Sequence, residues 1–166
     1  MGYSHYWELK DGHKLNNDKL KNAVKHIGNF VKLHSNDLAN RSGEFESNPE
    51  VTNKSVMFNG ILDESHETFS IKANWNGAFD FCKTNEKAYD KYVVGALCIL
   101  KHFVNPDVLV TSDGTFEDHA EGYGLYLDYI LNQTEEQNYG IYTANDDMYM
   151  AEIRYLTEYK KTLKAK

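Results

Sequence analysis

Residues 92–104 read Tyr-Val-Val-Gly-Ala-Leu-Cys-Ile-Leu-Lys-His-Phe-Val, a run that is apolar on nearly every face of a helix. A helix that is hydrophobic all round belongs in the interior of a protein. The sequence therefore predicts a central core helix, which begins after a cap at Thr84 or Asn85 and ends before Asn105-Pro106.

The stretch that leads into this helix is unusually rich in charged and hydroxyl groups. Residues 79–90 read Phe-Asp-Phe-Cys-Lys-Thr-Asn-Glu-Lys-Ala-Tyr-Asp. The free N–H groups of a helix start, together with a nearby lysine, make a good anion site. We therefore predict a ligand pocket here, with Lys83 and Thr84 on a phosphate and with Lys87 and Tyr89 beside them. The alternative is that Thr84 is only a cap, that Lys83 is solvated and that Cys82 is a small core residue.

Composition limits the class of protein. The 166 residues are 41% hydrophobic and 13% aromatic, which suits a single folded domain over residues 1–166. The formal net charge is −7, and the chain has only two arginines, Arg41 and Arg154. Since nucleic-acid binders need basic patches that neutralise phosphates, we expect no bulk DNA or RNA binding. A small anionic ligand in one local pocket remains compatible with this charge.

Cysteine usage and the N-terminus indicate the compartment. Two cysteines, Cys82 and Cys98, are too few for a disulfide framework and suggest reduced thiols in a cytoplasmic protein. The first seven residues lack the apolar core of a signal peptide, and no run approaches the roughly 18 apolar residues of a membrane span. We expect no membrane association and no cofactor.

Periodicity along the chain predicts an α+β fold. Strands are predicted at residues 3–9, 55–59, 66–72 and 108–111, the last of them buried on both faces. Besides the core helix, helices are predicted from Asn16 or Asn17 to about His34, from a capping-box-like Thr115 to about Asn132, and from Asn145 onward. Residues 35–53 read as a long surface loop and residues 73–80 as a turn. The order β-α-β-β-α-β, followed by two C-terminal helices, is that of a ferredoxin-like split unit.

Short motifs along residues 1–114 resemble a family of small bacterial and phage proteins. That family opens Met-Gly-Tyr-Thr-His-Tyr-Trp and continues with Phe-Asn-Gly, His-Glu-Thr-Phe, Phe-Asp-Phe-Cys-Lys-Thr, Lys-Pro-Tyr-Asp and Ser-Ser-Asp-Gly. The matching residues here are 1–7, 58–60, 66–69, 79–84, 87–90 and 112–114, with departures at Ser4, Ala88, Thr111 and His119. By analogy, the phage occurrence implies a counter-defence protein in the host cytoplasm that sequesters a nucleotide immune signal.

Two further groups of residues are candidates for the pocket. Asp113 follows a buried strand within Ser112-Asp113-Gly114, where a carboxylate suits a ribose diol, although an Asp-Gly turn explains it equally simply. Tyr3, His5 and Trp7 share one face of the first strand. They would either stack a base or pack in the core with their polar atoms bonded.

A third candidate group is His66-Glu67-Thr68-Phe69. On a strand, Phe69 would draw Glu67 to the inner face, where a carboxylate needs a cation such as Lys83 or Lys87. His66 would lie on the opposite face. A thiol–imidazole pair of Cys82 with His66 is a weaker alternative. His5, His66 and His119 show no tight ligand spacing, so no metal site is expected.

Three functions remain open at this point. The first is a homo-oligomeric binding protein that holds a small nucleotide-type anion without transforming it. The second is a hydrolase or phosphodiesterase that uses His66, Glu67 and Asp113 while Lys83 holds phosphate. The third is a structural protein without a ligand.

Overall fold

The computed structural model describes residues 3–40 and 47–132, and these form the predicted α+β fold. Six strands and three helices follow one another, with short 3-10 turns at Ser35–Asp37 and Leu62–Glu64. The elements are β1 (Ser4–Leu9), α1 (Asn17–Leu33), β2 (Glu50–Val51), β3 (Ser55–Phe58), β4 (Phe69–Lys72), β5 (Asp80–Lys83), α2 (Asp90–Val104), β6 (Val108–Ser112) and α3 (Phe116–Leu131).

The strands divide into two small antiparallel sheets. One has the order β5-β1-β6 with β1 in its centre, and the other has the order β2-β3-β4. The predicted ferredoxin-like order is therefore not the order of the described residues, because β2 and β5 were missed. Strand β5 pairs with β1, which lies far away in the sequence, and β2 has only two residues within a polar segment. Neither strand therefore shows a clear hydrophobic period of its own.

Helices α1 and α3 confirm the sequence prediction closely, and α2 confirms the predicted core helix although it begins later than predicted. The Asn16 side chain caps α1 and accepts a hydrogen bond from the backbone of Lys19. Thr115 and Asp118 form a reciprocal capping box at the start of α3, with aspartate in place of the usual glutamate. Almost every residue of α2 is buried, as the uniformly apolar run predicts. Within the described residues, no helix is long and apolar enough to cross a membrane.

The sheet β5-β1-β6 buries one face only. His5 and Trp7 of β1 point into the core with Val108 and Val110 of β6, while Thr111 is exposed. The prediction that residues 108–111 are buried on both faces is therefore wrong, since helix α2 covers only the inner face of this antiparallel sheet. One cluster of buried side chains includes residues of both sheets and of all three helices.

The segment before α2 differs most from its prediction. Helix α2 begins at Asp90, six residues after Thr84, and Cys82 and Lys83 belong to strand β5. The expected phosphate site of Lys83 and Thr84 at a helix start is therefore wrong in its geometry. The turn between β5 and α2 passes through Asn85 and Glu86 at φ values of 53° and 58°, which are left-handed.

Two other expectations change as well. Strand β4 begins at Phe69, so residues 66–68 are not in a strand, and the assignment of His66 and Glu67 to opposite faces fails. These residues are held instead by the side chain of Asn59, which bonds the backbone N–H and carbonyl of His66. The presumed surface loop 35–53 contains the buried Leu38 and strand β2. The helix predicted from residue 145 lies outside the described residues.

Candidate functional site

Asp90, the first residue of α2, is the centre of a buried polar network. Its Oδ1 lies 2.6 Å from Nε2 of His5 and 2.5 Å from Oγ1 of Thr84. Because an ionised carboxylate only accepts, both neighbours donate to it, and Nε2 of His5 carries the proton. The helix dipole favours a negative charge at this position. The network therefore secures the start of α2 to the beginning of β1 and the end of β5.

A cleft of about 280 Å³ lies in front of this network, and Tyr3 lines it. The other lining residues come from the segment before α2, from its first turn and from the start of α3: Glu86, Lys87, Ala88, Asp90, Lys91, Asp118 and Glu121. Tyr3 is only 8% exposed, yet its hydroxyl has no hydrogen-bond partner within the described residues. The neighbouring Ser112 hydroxyl is already bonded to His119 and to the backbone N–H of Gly114.

The Tyr3 hydroxyl is a protonated donor. Burial raises its pKa, and the carboxylates of Asp90 and Asp118 raise it further. A buried donor that lacks a partner is destabilising by about 1–3 kcal/mol. A ligand acceptor that reached this hydroxyl would remove that penalty.

The cleft carries more negative than positive charge. Four carboxylates (Glu86, Asp90, Asp118 and Glu121) face two ammonium groups (Lys87 and Lys91), and Lys91 lies 3.5 Å from Glu121. Hydrogen bonds from the backbone and hydroxyl of Thr115 lower the pKa of Asp118, so this wall stays ionised. Such a surface accepts hydrogen bonds from hydroxyl and amino groups, and its two lysines neutralise a small number of phosphate charges.

The backbone beside the cleft is strained. The left-handed conformation disfavours residues with a Cβ, and glutamate tolerates it less well than asparagine. The N–H groups of Thr84 and Asn85 both donate to the carbonyl of Tyr3, at 3.1 and 3.2 Å, and thereby fix this conformation. Strain of this kind persists where surrounding contacts determine it, and it is concentrated at binding sites. Here it presents Glu86 and Lys87 to the cleft.

A second buried group, centred on His119, supports the network from α3. The His119 ring bonds Ser112 at 2.9 Å and Tyr123 at 3.1 Å. Burial lowers its pKa to about 4, with a further lowering by His5, so the ring is neutral at pH 7. A Cβ on Gly114 would overlap the Tyr3 hydroxyl and lie 2.7 Å from Nε2 of His119. Only glycine fits at position 114, between the Tyr3 and His119 side chains.

The structure brings four of the ten predicted site residues to this cleft. Tyr3 and Lys87 line it, and His5 and Thr84 lie directly behind it on Asp90. Asp90 ends the stretch 79–90 in which the pocket is predicted, but no role is predicted for it, although a carboxylate at the first position of an otherwise apolar helix is a usable signal. The sequence prediction also missed Lys91, Asp118 and Glu121, because nothing local shows that α3 packs against the start of α2.

Four other predicted residues form a separate structural cluster beside β5. Nδ1 of His66 lies 2.8 Å from the carbonyl oxygen of Lys83, and the Glu67 carboxylate accepts from the Lys83 backbone N–H at 2.7 Å. The Tyr89 hydroxyl donates to the Glu67 carbonyl at 2.5 Å. Glu67 therefore meets the backbone of Lys83 rather than a lysine ammonium. These contacts secure the segment before β4 to the edge of β5.

Trp7 and Asp113 also lie away from the cleft. Trp7 is buried and packs on Phe69, with ring centroids 5.4 Å apart, so it is a core residue rather than a stacking surface. Asp113 accepts from the backbone N–H of Ser4 at 3.0 Å and from the hydroxyl of Tyr6 at 3.0 and 3.1 Å. Its carboxylate thus ties the end of β6 to β1.

The groups suggested for hydrolysis do not converge. His66 and Glu67 lie beside β5, whereas Asp113 follows β6 on the other side of β1. Cys82 is buried and its thiol lies 3.5 Å from the Glu67 carbonyl. Burial raises its pKa, so it is not a thiolate. The described residues contain no group of three or more His, Cys, Asp or Glu side chains placed to hold a metal ion.

No family model, no curated protein and no solved structure matches this chain. The resemblance to the phage and bacterial family therefore stays a prediction. The chemistry of the cleft is the basis for assigning a function.

Proposed function

We propose that the protein binds a small nucleotide-type ligand in the cleft at the start of α2 and holds it without transforming it. The observation that carries this proposal is Tyr3, which lines the cleft and whose buried hydroxyl has no hydrogen-bond partner within the described residues. A ligand acceptor that bonds this hydroxyl would exchange an unfavourable buried group for a hydrogen bond.

The lining residues support a ligand of this type. Lys87 and Lys91 suit a phosphate, and the carboxylates of Glu86, Asp118 and Glu121 suit ribose hydroxyls and a base amino group. The cleft volume of about 280 Å³ is slightly below the range of about 300–1,000 Å³ that is usual for ligand sites. The volume and the excess of carboxylates both favour a ligand of mononucleotide size with few phosphates.

Binding rather than turnover is favoured by how the reactive groups are engaged. His5 donates to Asp90, and the neutral His119 is held by hydrogen bonds to Ser112 and Tyr123. Both rings stabilise the fold behind the cleft and are fully buried. Sequestration of a nucleotide immune signal, as the family resemblance implies, would need only such a binding site.

The decisive experiment uses Tyr3→Phe, which removes only the hydroxyl. Calorimetry with a panel of mononucleotides, cyclic dinucleotides and ADP-ribose identifies the tightest ligand. Tyr3→Phe is expected to weaken that ligand about tenfold, the value of one buried hydrogen bond. The same change should raise the stability of the unliganded protein, because it removes the unpartnered donor. A merely structural Tyr3 would not show these opposite effects.

Tyr6→Phe is the matched control on the same strand. It removes a hydroxyl that bonds Asp113 outside the cleft, so stability should fall while ligand affinity stays the same. Unchanged affinity in Tyr3→Phe, or binding of spermidine with no binding of any nucleotide, would contradict the proposal. Multiple turnovers, detected as products after denaturing the incubated protein, would establish an enzyme instead.

A further inference from the structure

The outer face of the sheet β5-β1-β6 has no described element packed on it and exposes large aromatic side chains. Phe79 is 57% exposed and Phe81 49%. Register places Phe81 and Thr111 on either side of Tyr6, and Leu109 beside Glu8. Because directly paired residues of an antiparallel sheet share a face, these side chains lie together on the outer face.

The aromatic rings form a continuous strip across this face. The Tyr6 and Phe79 rings are stacked with centroids 5.9 Å apart, and the Phe79 and Phe81 centroids are 6.2 Å apart. Two of the four exposed large hydrophobic residues in the described part of the chain are in this strip. Scattered exposed apolar residues are ordinary, but a contiguous patch indicates an interaction surface.

Charges at one end of the strip are arranged symmetrically. Register pairs Lys83 of β5 with Ser4 of β1, and Asp113 follows β6 and bonds Ser4 from the other side. A cation and an anion therefore flank the same residue of the central strand. This arrangement is complementary to itself.

We infer that this outer face binds a second copy of the chain, with a two-fold axis that runs along β1. Such an axis places β5 of one protomer over β6 of its partner, because the two edge strands lie on opposite sides of β1. Lys83 then faces Asp113 of the partner subunit, and this ion pair forms twice. Phe81 faces Thr111 of the partner subunit and Phe79 faces Leu109 of the partner subunit. Face-to-face sheets with nearly aligned strands are a common packing.

Charge favours this occupant over nucleic acid. Aromatic strips on sheets also stack single-stranded bases, but such surfaces combine the aromatics with a positively charged groove. Lys83 is the one cation among the described residues that pair within the three strands on this face, and the chain carries a net charge of −7. A second copy supplies a carboxylate to Lys83, whereas a phosphate backbone would meet Asp113 and Glu8.

The size of the face sets the strength of the dimer. Three strands about 4.8 Å apart and five residues of about 3.3 Å each give roughly 240 Å². A standard interface buries about 800 Å² per partner. The face is much smaller than a standard interface, so we expect a weak dimer that forms only as the protein is concentrated.

Sedimentation of the full chain from about 5 to about 500 μM tests this interface. The protein is expected to shift from monomer to dimer across this range. Phe81→Lys should keep it monomeric, because it places a cation on the aromatic strip. Leu33→Lys is the matched control, since Leu33 is 70% exposed at the end of α1 and lies outside the strip. Circular dichroism of both variants confirms that each folds.

Three further variants test the direction of the axis. Lys83→Glu should weaken the dimer at least tenfold, because two ion pairs become two repulsions. Glu8 lies on the axis and faces its own copy, so Glu8→Gln should strengthen the dimer. Glu8→Cys should be joined to its copy by a short bis-maleimide, with the buried Cys82 and Cys98 unreactive.

A chain that stays monomeric at the highest concentration overturns the inference, and so does a dimer that Phe81→Lys leaves intact. In a monomer, protection of the Glu8→Cys thiol from maleimide would show that another part of the same chain covers the face. Oligonucleotide binding that Phe81→Lys abolishes would assign the strip to nucleic acid instead.

Discussion

Two glycines of α3 provide an internal comparison of helix packing. A Cβ on Gly122 would overlap Cβ and Cγ1 of Val94 in α2 and lie 2.9 Å from the carbonyl oxygen of Lys91, whereas a Cβ on Gly124 would have nothing within 4 Å. Alanine is about 1 kcal/mol better than glycine inside a helix. Overpacking against a rigid β-branched neighbour and a backbone carbonyl is unfavourable by about 1–3 kcal/mol.

The two substitutions are therefore expected to have opposite signs. Gly124→Ala should raise the free energy of unfolding by about 0.5–1 kcal/mol, and Gly122→Ala should lower it by about 1 kcal/mol. Urea denaturation of both variants measures the difference directly, provided that their m-values agree. Gly122→Ala should also weaken the ligand, because α3 carries Asp118 and Glu121 and would move away from Lys91. Equal stabilisation by both alanines would refute the close approach of α2 and α3.

Three other predictions concern polar side chains that hold the elements together. Asp90→Ala removes the carboxylate that accepts from His5 and Thr84 and should lower stability by about 3 kcal/mol, whereas Asp90→Asn, which keeps an acceptor oxygen, should lose less. Burial lowers the pKa of His102 from 6.5 to about 4, so the unfolded chain binds the proton first. The contribution of His102 to the free energy of unfolding should be fully present above about pH 6.5 and fall by about 3 kcal/mol towards pH 4. Urea denaturation of His102→Gln at several pH values should show a decrease with falling pH that is smaller by this amount. Asp113→Asn should lower stability by about 1 kcal/mol without changing ligand affinity, since its carboxylate bonds β1 outside the cleft; weaker ligand binding at full stability would place it back in the site.

The helices could be predicted from the sequence because their signals are local. The uniformly apolar run predicts α2, the apolar stripe and Asn16 predict α1, and Thr115 with Asp118 predicts the start of α3. Each of these signals lies within one or two helical turns. Helix periodicity and capping need no knowledge of distant residues.

The placement of strand β5 could not be predicted in the same way. Residues 80–83 contain two charged side chains, and they form a strand because they pair with β1, about 75 residues earlier. The sequence predicts that these residues lead directly into a helix, so it wrongly places Lys83 in the site and predicts no function for Asp90. The residues that do form the cleft are brought together by the packing of α3 on α2, which no local pattern encodes.

Alternation along β1 explains why the cleft and the aromatic face are independent surfaces. Tyr3, His5 and Trp7 point inward, where the first lines the cleft, the second supports Asp90 and the third fills the core. Ser4, Tyr6 and Glu8 point outward to the strip that we assign to a second copy. Because successive side chains of a strand point to opposite faces, a substitution on one face can leave the other face intact. Strand β1 and the preceding Tyr3 thus connect a proposed ligand site on one side with a proposed subunit interface on the other.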